Sequence, residues 1–179
     1  MYFLSTFLLC LFAFFSTSAF AIPIGFSYSK AYGNEDPPHL HGYRVAVLYQ
    51  PKRLVWPKSR VYIDMSFSHW WLNNVPNRGS VSIYAIAPVF RHYFFKSFIS
   101  PFLNISIGVS WMTRTRLYPE HNMGMHFAFQ DQVGGGIAIG RQQQFSLILS
   151  ALHYSNASLS AYNGGITAPV MLSAEYQFE

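Results

Sequence analysis

The sequence predicts an all-β chain folded as an eight-stranded antiparallel transmembrane β-barrel of the outer membrane, and three observations carry that reading. Apolar and polar side chains alternate with period 2 in about eight segments, the pattern of a strand with one face to lipid and one to a lumen. Charged residues are only 11% of the 179 and aromatics reach 18%, where an ordinary globular domain is about 25% charged. After residue 21 no stretch approaches the roughly 18 uninterrupted apolar residues of a membrane helix. A membrane protein of this composition must therefore cross with strands closed into a barrel.

The first element is 1–21, which carries no charged side chain and ends in Ser18-Ala19-Phe20-Ala21, with the small residues of an A-x-A cleavage site. It reads as a secretory signal peptide, leaving 22–179 as one barrel domain. Its apolar run is broken at Ser16 to Ser18, which favours cleavage over anchoring. The only cysteine, Cys10, lies in this leader behind Leu8-Leu9, without the small residue a lipoprotein site needs. An exported domain without a thiol excludes a disulfide framework, a Cys-ligated zinc and a Cys nucleophile together.

The segments then follow at 25–33, 43–50, 60–70, 80–93, 101–112, 131–140, 144–155 and 168–178. In the third, Val61, Ile63, Met65 and Phe67 are expected to face out, against Asp64, Ser66 and Ser68. In the fifth the outer set is Leu103, Ile105, Ile107, Val109 and Trp111. The same rule places Val81, Ile83 and Ala85 outward in the fourth, Val133, Ile137 and Ile139 in the sixth, and Val170, Leu172, Ala174 and Tyr176 in the last. Gly, Pro and Asn mark the connections between them. With both termini periplasmic, 34–42, 71–79, 113–130 and 156–167 become outer loops, and 51–59, 94–100 and 141–143 become periplasmic turns.

A soluble β-sandwich would also alternate. Against it stand Trp56, Trp70, Trp71 and Trp111 near strand ends, where interfacial girdles belong, and the aromatic ending Tyr176-x-Phe178. His69 is expected in the same belt as Trp70 and Trp71.

The balance of 12 Lys and Arg to 7 Asp and Glu gives a net charge of +5. Export and the scarcity of Lys/Arg runs argue against nucleic acid and for anionic lipid or lipopolysaccharide as the partner. His39-Leu40-His41 supplies two imidazoles, and two ligands do not close a metal site.

The seventh segment carries the chemistry. Phe145, Leu147, Leu149 and Ala151 point to lipid, and His153 and Ser155 follow on the same face at the outer rim. Spacing i, i+2 sets the two side chains next to each other, the arrangement in which a base activates a hydroxyl nucleophile. A pair so placed would act on an ester in the outer leaflet. The plainer reading is that these polar residues mark where the strand leaves hydrocarbon.

The run His153-Tyr154-Ser155-Asn156-Ala157-Ser158, followed by Asn163-Gly164-Gly165-Ile166, closely resembles the C-terminal motif of the PagL family, the outer-membrane lipid A 3-O-deacylases. Pro88-Val89-Phe90-Arg91, Thr113-Arg114-Thr115-Arg116 and Phe129-Gln130 with Gly134 to Gly140 extend the similarity in the family's order, over about 43–178. The resemblance implies hydrolysis of the ester-linked acyl chain at the 3-position of lipid A, without metal or cofactor. It implies His153 as base and Ser155 as nucleophile, and an oxyanion hole from Asn163 and the backbone N–H near Ser158, supported by Asn156. Arg114 and Arg116 become candidates for the lipid A phosphates, since a guanidinium can hold one bidentately.

One position departs from the family. The orienting carboxylate falls twelve residues beyond the serine, and here that residue is Thr167. Glu175 is turned to the lumen by its parity, as is Asp64. Asp131, Glu120, Glu35 and Asp36 remain as acids that a loop could bring to His153. The alternative is a barrel that has lost catalysis and keeps a structural or surface-interaction role, and a homodimer is left open. A palmitoyl transferase barrel, with its polar residues in loops and lumen, fits the lipid-facing pair less well.

Overall fold

The computed structural model of this protein describes residues 24–32, 40–72, 79–118 and 121–178. The expected leader with Cys10, and His39, Glu35, Asp36 and Glu120, lie outside these described residues. In chain order the strands are β1 Ile24–Tyr32, β2 Leu40–Tyr49, β3 Ser59–Leu72, β4 Ser80–Tyr93, β5 Ile99–Met112, β6 Arg116–Tyr118, β7 His121–Asn122, β8 Phe127–Ile139, β9 Phe145–Ser155 and β10 Ile166–Gln177. Eight of them close an antiparallel barrel in the order β1-β10-β9-β8-β5-β4-β3-β2, with β1 also paired to β2. The short pair β6 and β7 forms a separate hairpin between β5 and β8. β8 starts at Phe127, four residues earlier than expected, which turns the head of the expected third loop into strand. The 14-residue strands β3, β4 and β5 are about 46 Å long at ~3.3 Å per residue, enough to cross a bilayer core when tilted.

The outer face is apolar. Along β5 the residues Leu103, Ile105, Ile107, Val109 and Trp111 are exposed, while Phe102, Asn104, Ser106, Ser110 and Met112 are buried. Leu147 and Leu149 of β9 and Val170, Leu172 and Tyr176 of β10 continue the belt. A contiguous apolar surface of this extent needs a hydrocarbon solvent.

The lumen is filled in layers. Leu40, Leu72, Val81, Ile83, Met112, Leu152 and Met171 pack into an apolar layer at the end where the connections 113–126 and 156–165 emerge. Below it Arg44 is paired with Asp64, and Arg91 holds Glu175 through two hydrogen bonds of 2.9 Å. Arg91 also donates to Asn104, Ser146 and the Tyr62 hydroxyl. Tyr93, Phe102, Ala138 and Ile148 fill the lumen nearer the turns 50–58, 94–98 and 140–144.

This layering corrects two expectations. Val81 and Ile83 do not face lipid: they are 2% and 0% exposed, and Tyr84, Ile86 and Phe90 take the outer face of β4. Parity is constant along the strand, so Arg91, which must meet Glu175 inside, carries Ile83 and Val81 inside with it. Trp70 is not in the interfacial belt either. It is wholly buried in the lumen against the edge of Tyr154, in space left by Gly42, where a Cβ would come within 2.1 Å of the indole. His69 and Trp71 stay outside with Tyr43, and His69 shares a 2.9 Å hydrogen bond with Ser82.

Candidate active site

β9 delivers His153 and Ser155 to the outer face, both half-buried, directly above the exposed Leu147 and Leu149. Its neighbours bring partners in register. Thr167 of β10 lies across from His153 on one side, Asp131 of β8 lies across on the other, and Ser155 is opposite Phe129.

Thr167 reaches that face through a β-bulge. The pairing of β10 with β9 slips by one residue between Ala168 and Met171, so odd residues point out before the slip and in after it. Thr167 therefore faces lipid while Glu175, of the same parity, lies in the lumen with Arg91. Pro169 sits in the slip, where its missing N–H is no loss to the ladder. The bulge could have been suspected from a proline inside an otherwise regular strand.

The Thr167 hydroxyl and His153 Nδ1 share a 2.8 Å hydrogen bond. If Nδ1–H donates, Nε2 is left as the basic nitrogen. Gly165 closes one side of the ring: its φ is +63°, and a Cβ there would stand 3.1 Å from His153 Cε1. The Gly165 carbonyl is bonded by the His121 ring, brought in by β7. No hydrogen bond joins Ser155 to His153 among the described residues, and such contacts are commonly long before substrate binds.

The loop after Ser155 is organised by Asn156, which is fully buried. Its Nδ2 donates to the Met123 and Tyr162 carbonyls, and its Oδ1 accepts from the Ser158 N–H at 2.9 Å. Ala157 and Ser158 both have positive φ, 52° and 62°, a conformation that glycine adopts most readily and that alanine and serine take up here. The Ser158 N–H, expected at an oxyanion hole, is thus already committed to Asn156. Asn163 is exposed, and its Oδ1 accepts from the Asn156 N–H at 2.9 Å. A backbone N–H only donates, so Oδ1 must face it and the Asn163 Nδ2 is turned the other way.

Arg114 and Arg116 are exposed at the start of the β6–β7 hairpin. Asp64 and Glu175 are both buried in the lumen in ion pairs, as their parity requires. Among the described residues no group of three or more His, Cys, Asp or Glu is placed to hold a metal.

A family model described as Lipid A 3-O-deacylase (PagL) matches residues 41–176. Lipid A deacylase PagL of Pseudomonas aeruginosa is 34% identical over 105 residues, which is 59% of this chain and 58% of that protein. The match thus spans less than two thirds of the relative's length. The crystal structure of the outer membrane enzyme PagL superposes with a TM-score of 0.69 at 25% identity, covering 86% of this chain and 98% of that one. Neisserial surface protein A shares the fold at a TM-score of 0.51 and 10% identity, over 88% of this chain and 96% of its own. The barrel is that of a bacterial outer-membrane protein, and with the family model matched across most of its length the chain belongs to the lipid A 3-O-deacylase (PagL) family.

Proposed function

We propose that this protein is a lipid A 3-O-deacylase, a serine esterase working on the outer leaflet that surrounds it. The observation that carries the reading is the placement of His153 and Ser155 on the lipid-facing side of β9, with His153 Nδ1 bonded by Thr167. Only a substrate that is itself part of the membrane reaches such a pair.

In this reading Ser155 Oγ attacks the ester carbonyl while His153 Nε2 takes its proton. The oxyanion that forms is met by the Asn163 Nδ2, a donor already oriented by its Oδ1 contact to Asn156. The imidazolium returns the proton to the departing 3-hydroxyl of the sugar. Water, activated by the same imidazole, then releases the fatty acid and restores Ser155. Arg114 and Arg116, exposed near the rim, bind the lipid A phosphates.

Thr167 favours a second reading, a barrel of this family without activity. In the serine-protease triad, neutralising the acid costs about 10⁴ in kcat. Mass spectrometry of lipid A from cells expressing wild type, Ser155→Ala and Thr167→Glu decides between them. The esterase reading expects loss of one 3-hydroxyacyl chain with wild type and an unmodified lipid A with Ser155→Ala. Unmodified lipid A in all three strains, with the barrel folded in the membrane, would overturn it.

A further inference from the structure

The sequence has seven acidic residues, and three of them, Asp64, Asp131 and Glu175, fall among the described residues. Asp64 and Glu175 are neutralised in the lumen by Arg44 and Arg91. Asp131 alone of the three is on the outer face.

Its surroundings there are specific. Along β8 its outward neighbours are Phe129 and Val133, and across on β5 it pairs with Ile107, which is 64% exposed. The remaining cross-strand neighbour is His153. Directly opposed side chains start about 4.5–5.5 Å apart at Cβ. A carboxylate with three hydrocarbon neighbours on a lipid-facing surface is costly to keep charged without a cation beside it. Imidazolium, formed when His153 takes the Ser155 proton, is such a cation. The other groups around the ring are Thr167 on β10 and His121, across Gly165.

We infer that Asp131 is a positioning residue for the deacylation, and that the role of one triad carboxylate is divided here between two side chains. Thr167 fixes the imidazole through Nδ1, and Asp131 supplies the negative charge from the neighbouring strand. No hydrogen bond joins Asp131 to His153, so the carboxylate acts through space, in a setting where little water screens it. The charge matters only once the imidazolium forms, so its effect falls on kcat and not on substrate binding. This inference rests on the esterase reading above.

The test uses the full-length protein in outer-membrane vesicles, with folding checked by heat-modifiable gel mobility and lipid A followed by mass spectrometry. Asp131→Asn, which keeps the shape and removes the charge, is expected to lower kcat by about 10²-fold with KM unchanged. Asp131→Glu is expected to retain most of the rate, and Thr167→Glu added to Asp131→Asn to restore it. Wild-type rates in Asp131→Asn would overturn the inference and leave the esterase reading standing. An inactive wild type made active by Thr167→Glu would also overturn it, because Asp131 would then not be filling the vacant role. Inactivity of both wild type and Thr167→Glu would remove the esterase reading and the inference together.

Discussion

At the scale of single residues, the site depends on small groups that leave room and on one buried amide. Gly165 combines a left-handed φ with close approach to the His153 ring. Gly165→Ala adds backbone strain of about 1 kcal/mol and a methyl where the imidazole edge now lies. The barrel, held by its ladder, is expected to fold as before, while deacylation falls at least tenfold because the ring is displaced from Ser155. Asn156 is the more structural case, since its Nδ2 serves two carbonyls at 2.6 and 2.7 Å. Asn156→Asp would aim a carboxylate oxygen at both carbonyls, with a penalty of about 1–3 kcal/mol. The expected result is a loop 156–165 cut by protease in intact cells under conditions where the wild type resists, together with loss of lipid A modification. Resistance equal to wild type would contradict this account of the loop.

At the scale of strands, β5 was legible because from Leu103 to Trp111 large apolar residues alternate with Asn104, Ser106, Gly108 and Ser110 without exception, and either face of the pattern identifies the other. β4 was not, because the lumen at the loop end is apolar. Val81 and Ile83 look like lipid-facing residues although they fill the interior, and only the pairing of Arg91 with Glu175 fixes the parity. Trp70 misled for the same reason, an aromatic near a strand end being as good a luminal plug as a girdle. The placement of His153 and Ser155 on one outward face was legible from their spacing. Asp131 is the first residue of the segment expected at 131–140, and the reach of β8 back to Phe127, which sets it well inside the strand and opposite His153, is hidden in the sequence. The β10 slip was hidden too, since parity cannot be carried across a bulge. Deleting Pro169 removes the extra residue, so the ladder should become regular with Ala168 still opposite Leu152 facing in and Thr167 still opposite His153 facing out. The variant is expected to show heat-modifiable mobility and deacylation like wild type, whereas Thr167→Ala, which takes the hydroxyl from His153 Nδ1, is expected to deacylate more slowly. Loss of deacylation in a folded deletion variant would mean that the site needs the bulge itself and not only the parity it sets.

At the scale of the whole barrel, the same charge-poor chain must hold its lumen closed while its outside dissolves in lipid. Arg91 does this from the centre: from β4 it reaches Glu175 on β10, Ser146 on β9, Asn104 on β5 and Tyr62 on β3, and it lies 4.0 Å over the Phe102 ring. Five strands are therefore tied to one guanidinium that is wholly buried. The pair need not exceed an apolar core in stability, because desolvation offsets much of the attraction, but breaking it on one side leaves an uncompensated buried charge. Glu175→Leu is expected to destabilise the barrel by about 3–5 kcal/mol in reversible urea unfolding from lipid vesicles. Arg91→Met combined with Glu175→Leu should recover most of that loss, since both charges then leave the lumen together. The double variant also separates stability from chemistry. Glu175 is turned away from His153, so the recovered barrel is expected to deacylate at the wild-type rate, and a double variant as unstable as the single one would show that the network closes the barrel by its geometry and not by charge balance.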